Sequence, residues 1–218
     1  MRAGVIDQSE AGGTDPRPLV GLLLAYGLFW GWLAIEPVDR HDWFLENLLA
    51  VALVAVLVLT HRRFSFSLAS YYLIFSFLML HAIGAHYTYA EVPFGFWLKD
   101  LLALSRNPFD RLVHFAYGAL LAYPIRELLV RLAGVRGLWS YYLPVSAVLA
   151  QSGFFEVIEA YVAMMVSPEL GNLYLGTQGD EWDAQKDMAA AGIGSVLTMA
   201  VTLGMSLRQF LDPVRSVR

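Results

Sequence analysis

The acidic segment LGTQGDEWDAQKDM at 175–188 is the densest group of residues whose types suit chemistry. It carries Asp180, Glu181, Asp183 and Asp187 within eight residues, directly before a long apolar run. Carboxylates at the mouth of a membrane helix usually face a bundle interior, a water-filled cavity or a bound ion, because contact with lipid is costly. Asp183 and Asp187 are four residues apart and therefore share one face of a helix. This pattern predicts an ionisable site at the membrane boundary.

Two earlier pairs of polar residues have spacings that also favour a shared helix face. Asp110 and His114 are four residues apart, and Glu156 and Glu159 are three apart. The glutamates have apolar neighbours in the sequence, so a position on a solvated surface does not explain them. Asp110 also suits a first-turn acid that the helix dipole stabilises, and so do the acids at the start of the last apolar run. We expect the four residues to converge at one depth of the membrane.

Two histidines near the end of the third apolar run complete the set. His81 and His86 are five residues apart, which separates them by about 140° on an ideal helix. They reach one point only if the helix deforms near Gly84 or if His86 lies beyond the helix end. His81 equally suits a core histidine that is bonded to a backbone carbonyl.

Imidazole and carboxylate groups without sulfur suit a divalent zinc, manganese or iron ion. The chain has no cysteine, which excludes disulfides, thiolate metal sites and cysteine nucleophiles. No organic cofactor site is predicted. The predicted metal ligands are His81, His86, His114, Glu156, Asp183 and Asp187. The predicted catalytic residues are Glu156, Glu159, Asp110 and Arg111, the last of which could hold an anionic head group.

Three functions fit such a site. A metal-bound water is a nucleophile near neutral pH, which favours a metal-dependent hydrolase or a lipid-modifying enzyme acting on a lipid or a small anionic substrate. A proton- or cation-coupled transporter would use the same acids and histidines as a relay. A structural membrane protein would use them as a buried ion-pair or metal site without turnover.

The composition indicates that these residues belong to a protein embedded in a lipid bilayer. Of the 218 residues, 57% are hydrophobic and 16% are charged, and the apolar residues occur in blocks, which is typical of membrane helices. The net charge of −4 and the lack of a basic tract argue against a nucleic-acid partner. We therefore predict an all-α fold, a polytopic membrane helical bundle.

Six apolar blocks are long enough to span a bilayer. They lie at 18–35, 43–60, 66–89, 109–132, 138–166 and 184–207. The fifth block is the longest, and a tilt or a break near Gly153 is expected. A short aromatic segment near 94–105 predicts an interfacial helix. The predicted organisation is a disordered cytoplasmic tail at 1–17, a single transmembrane domain at 18–210 and a cytoplasmic tail at 211–218.

The distribution of basic residues predicts the orientation. With six spans, both termini lie on one side, and that side holds ten of the 15 Lys and Arg residues. The positive-inside rule then puts both termini in the cytoplasm and the acidic site on the outer side.

Four segments of the sequence resemble the YjdF family of uncharacterised bacterial inner-membrane proteins. They are FDRLVHFAYG at 109–118, FFEVIEAY at 154–161, LGTQGDEWDAQKDM at 175–188 and HAIGAHYTYAEVPFG at 81–95. The resemblance covers roughly residues 43–207. It implies a multi-pass protein of the bacterial inner (cytoplasmic) membrane, and it supplies no activity, substrate or cofactor.

Overall fold

The computed structural model describes residues 16–211 and the side chains of residues 18–208. This part of the chain is all-α, without a strand. Its eight helices are α1 (Pro16–Leu33), α2 (Arg40–Thr60), α3 (Leu68–His86), α4 (Pro93–Leu101), α5 (Phe109–Leu132), α6 (Trp139–Met165), α7 (Pro168–Leu175) and α8 (Asp183–Leu211). The tails predicted at 1–17 and 211–218 lie outside the described residues, except that residues 16, 17 and 211 are helical.

Four helices of the described chain are long and apolar enough to cross a membrane, namely α2, α3, α6 and α8. The apolar part of α1 is shorter. The 24-residue α5 is long enough to span but carries charged residues at both ends. Large apolar side chains stay exposed on these helices, as expected where lipid is the solvent. The predicted helical membrane bundle is confirmed, and α4 matches the predicted interfacial helix.

Of the tilt or break predicted near Gly153, the break is wrong, because α6 runs without interruption from Trp139 to Met165. Gly153 instead lets α8 approach, since a Cβ there would lie 3.0 Å from the Met188 methyl carbon. The loop expected after this span contains the short helix α7. Its start follows from local sequence: the Ser167 side chain accepts from the Leu170 amide, and Pro168 occupies the first turn.

Helix α5 lies at the centre of the bundle and packs against α3, α6 and α8. Its contact with α8 is the most extensive and is made through glycine. A Cβ on Gly118 would collide with the Ala191 carbonyl, and a Cβ on Gly194 would collide with the Phe115 carbonyl. The two backbones therefore touch directly. This contact fixes the first turns of α5 and α8 beside each other.

The opposite end of the bundle is held by one buried carboxylate, Glu127 on α5. It accepts hydrogen bonds from the Ser67 amide at 2.7 Å and the Ser67 hydroxyl at 2.8 Å. It also accepts from the Ser70 hydroxyl and from Arg131. These bonds tie the start of α3 to the end of α5.

Candidate functional site

Three predicted site residues meet between the first turns of α5 and α8. Asp110, His114 and Asp187 each offer one ligand atom, and these atoms lie within 4.8 Å of one another. Asp110 Oδ1 is 3.6 Å from His114 Nε2, as their four-residue spacing predicts. Asp187 is only 2% exposed, and its Oδ1 atom has no hydrogen-bond partner among the described residues. Two carboxylates and an imidazole at this separation could bind a divalent metal ion.

Two guanidinium groups neutralise the acids beside this group. Arg106, which is 7% exposed, bonds to Asp183 and donates to the Thr177 and Gly176 carbonyls. Arg111 Nη2 bonds to Asp180 at 2.5 Å and to Asp183 at 3.0 Å.

The predicted metal ligand Asp183 is therefore held by two cations. Arg111, which was predicted to hold an anionic head group, is likewise engaged by carboxylates, and its Nε lies 3.7 Å from Asp187 Oδ1.

The glutamates of α6 face the group from the other side. Glu156 Oε1 lies 3.8 Å from His114 Nε2, and this oxygen is buried without a hydrogen-bond partner among the described residues. The Glu159 carboxyl group interacts with that of Glu156. The predicted convergence of α5, α6 and α8 at one depth is therefore present in the structure.

The two other histidines predicted as ligands, His81 and His86, are not part of the group of Asp110, His114 and Asp187. The Nδ1 atom of His81 is 2.6 Å from the Tyr89 hydroxyl, and its Nε2 atom is buried without a hydrogen-bond partner among the described residues. His86 is bonded through Nδ1 to the Leu33 carbonyl at 2.7 Å, which connects α3 to the end of α1.

Groups outside the spanning helices have shifted pKa values. The Lys186 ammonium and the Arg111 guanidinium hold the pKa of Asp180 well below its usual range. Burial raises the pKa of Tyr89 and of Tyr174 well above the ordinary tyrosine value, and nearby carboxylates raise them further. Both tyrosines therefore stay neutral at physiological pH and can donate hydrogen bonds.

A cavity of about 310 Å³ adjoins the group. Its polar end is lined by six side chains from α2, α3, α5, α6 and the segment after α3, namely Glu46, His81, Tyr89, Asp110, His114 and Glu159. Its other end is lined mainly by apolar side chains, among them Leu53, Leu78 and Leu121, together with Ser152 and the hydrogen-bonded pair of Tyr117 and Gln151. Helix α7 lies over the polar end, where Tyr174 contributes to the lining.

Sequence reasoning missed Asp42 and Arg106 in this region, and it placed Glu46 at the same outer level without giving it a role in the site. Asp42 and Glu46 on α2 are 1% and 6% exposed, and Glu46 lines the cavity. Their four-residue spacing at the start of an apolar helix is the same signal that identified Asp110 and His114. Arg106 has no such spacing signal in the sequence, since its main partner, Asp183, is 77 residues away.

Comparisons with known proteins agree on a membrane protein. The family model described as "Predicted membrane protein (DUF2238)" matches residues 18–208. The inner membrane protein YjdF of Escherichia coli (strain K12) is 37% identical over 179 residues, which cover 82% of this chain and 85% of that protein. No solved structure matches the chain.

Proposed function

Since the chain belongs to the DUF2238 family of predicted membrane proteins, we propose that it is a metal-dependent membrane enzyme, a hydrolase or lipid-modifying enzyme. The observation that carries the proposal is the group of Asp110, His114 and Asp187, whose ligand atoms lie within 4.8 Å of one another beside a cavity. Three protein ligands leave coordination positions open, as catalytic metal sites require.

The burial of Asp187 supports a cation at this position. Its carboxylate is nearly inaccessible, and its Oδ1 atom has no hydrogen-bond partner among the described residues. Clustered carboxylates in such surroundings are stable only when they are protonated or when they share a cation. Zinc, manganese and iron all suit a donor set of one imidazole and two carboxylates.

The remaining residues fit the roles of a metal-assisted hydrolysis. A bound divalent ion would supply a nucleophilic water or polarise a substrate oxygen. Glu156 is close enough to His114 to move a proton at the edge of the site. Glu159 positions Glu156, because their carboxyl groups interact. Arg106 and Arg111 hold the loop before α8 and thereby the position of Asp187.

Two other functions use the same residues. A transporter needs a polar path across the membrane, whereas Leu53, Leu78 and Leu121 line the cavity away from the acids. A structural site needs no open space, and the cavity beside Asp110 and His114 supports turnover instead.

The site would face the outer side of the bacterial inner membrane, with both termini in the cytoplasm. The uneven distribution of Lys and Arg supports this orientation. Reporter fusions at the C-terminus and at Gln178 should therefore report opposite sides of the membrane, and the same side for both would contradict it.

Metal analysis of the purified protein tests the proposal. We expect stoichiometric zinc, manganese or iron in the wild type and its loss in His114→Gln. The matched control is His61→Gln, because His61 caps the C-terminal end of α2 and bonds to the Tyr71 hydroxyl, away from the site. Metal-free wild type at full stability would refute the proposal.

A further inference from the structure

We propose that the cavity binds a single-chain amphiphile from the bilayer, with its hydrocarbon chain between α2 and α6 and an amine-bearing head at Glu46 and Glu159. The inference rests on the proposed function in one respect, because it names the substrate class of the same site. The binding itself is argued from the shape, the opening and the charge of the cavity.

The shape suits a molecule with one polar and one apolar end. Glu46 and Leu53 line the cavity seven residues apart on α2, which is about 10 Å along the helix axis. Asp110 and Leu121 line it eleven residues apart on α5, which is about 16 Å. The volume of about 310 Å³ falls at the lower end of the range for small-molecule sites.

The opening faces the lipid. Leu49 on α2 and Phe154 on α6 line the cavity, yet they are 49% and 66% exposed at the surface of the bundle. Helix α7 packs against both α2 and α6 over the polar end. An apolar chain therefore has a lateral route from the bilayer, between Leu49 and Leu53 on α2 and Phe154 and Ile158 on α6.

The charge at the polar end favours a cationic head. Glu46 and Glu159 line the cavity, and neither has an ion-pair partner among residues 18–208. Asp42, one turn before Glu46, has two buried oxygens without a hydrogen-bond partner in the same part of the chain. An ammonium group has three N–H donors and would satisfy such carboxylates.

An anionic head has no comparable partner among the described residues that line the cavity. The three basic side chains nearest the site are bonded to the acids at the start of α8, and none of them lines the cavity; they are Arg106, Arg111 and Lys186.

Photolabelling of the purified protein in lipid nanodiscs tests the proposal. The probes are dodecylamine, dodecyl phosphate and dodecanol, each carrying a diazirine in the chain. We expect dodecylamine to label residues on α2 and α6 at least tenfold more than dodecyl phosphate. In Glu46→Gln this preference should fall several-fold, because the substitution removes the charge and keeps the shape. Equal labelling by all three probes would overturn the proposal.

Two blocking variants with neighbouring controls test the location. Leu53→Trp and Ile158→Trp fill the apolar part of the cavity from α2 and from α6. Val51→Trp and Val157→Trp are their controls, because both valines are exposed and lie outside the cavity lining. We expect at least a tenfold loss of labelling in the blocking variants only. Equal labelling in a correctly folded blocking variant and its control would place the amphiphile elsewhere and overturn the proposal.

The metal content of the same samples separates the two proposals. Metal-loaded wild type without selective amine labelling would refute the amphiphile site and leave the metal site standing. Metal-free wild type with selective labelling would support the amphiphile site and refute the metal-dependent function.

Discussion

Replacing Asp187 by Asn separates a metal site from a purely hydrogen-bonded cluster. The change keeps the shape of the side chain and removes its charge. Among residues 18–208, the only cation within ion-pair distance of Asp187 is Arg111, whose Nε is 3.7 Å from Oδ1. Without a bound metal, the substitution removes a poorly compensated buried charge, so it should leave stability unchanged or raise it. With a bound metal, it removes a ligand, so it should lower both metal content and stability.

The expected magnitude follows from binding linkage. A metal present at about 1,000 times its dissociation constant stabilises the folded state by about 4.1 kcal/mol. Loss of even an outer-shell partner weakens metal binding by about 10–100-fold, so loss of the Asp187 ligand should weaken it by about 100-fold or more. The remaining stabilisation is then about 1.4 kcal/mol. The loss of about 2.7 kcal/mol corresponds to a Tm decrease of roughly 5–11 °C for a chain of this size.

Thermal unfolding in detergent, with and without added zinc or manganese, measures this difference. Chelation should lower the Tm of the wild type more than that of Asp187→Asn, in which only about 1.4 kcal/mol of metal stabilisation remains to be lost. The matched control is Asp100→Asn, because Asp100 on α4 is exposed and lies outside the ligand group. It should keep its metal. A variant at Asp187 that is as stable as the metal-loaded wild type, with no effect of chelation on either, would refute the reasoning.

Three further predictions concern contacts that hold the helices and the loop before α8 in place. Gly194→Ala should destabilise the protein by about 1–3 kcal/mol, because its Cβ would collide with α5, whereas Gly21→Ala meets open space and should be neutral; thermal unfolding measures both. Glu127→Ala should cost about 3–5 kcal/mol, since buried donors at the start of α3 lose their acceptor, and chemical denaturation in detergent measures it. Because Lys186 keeps the pKa of Asp180 low, this carboxylate stabilises the fold above its unfolded pKa; the stability difference between wild type and Asp180→Asn should be constant near neutral pH and shrink below roughly pH 4.

The fold was largely predictable from the sequence, because hydropathy and helix periodicity report burial in lipid directly. The six predicted blocks correspond to the six long helices, and the segment near 94–105 corresponds to α4. The family resemblance is confirmed as well. The continuity of α6 through Gly153 was not predictable from residue type alone, because a helical glycine serves equally for a kink and for close packing.

The site was predictable where its residues are neighbours on one helix. Asp110 and His114 share a face of α5, and their convergence with Asp187 and Glu156 followed from a shared depth. Pairings between distant segments were not accessible in this way. The bond from Arg106 to Asp183, for example, depends on how α5 and α8 pack.

The direct contact of α5 with α8 also has a consequence for biosynthesis. Helix α5 is not among the four helices that are apolar enough to span on their own, because it carries charges at both ends. Its main packing partner is α8, which leaves the ribosome after the other described helices, and the first residue of α8, Asp183, pairs with both Arg106 and Arg111. Charged residues are costly during insertion by the translocon. We therefore expect α5 to remain beside the translocon until α8 is inserted. A chain whose synthesis stalls before α8 should be degraded by membrane proteases.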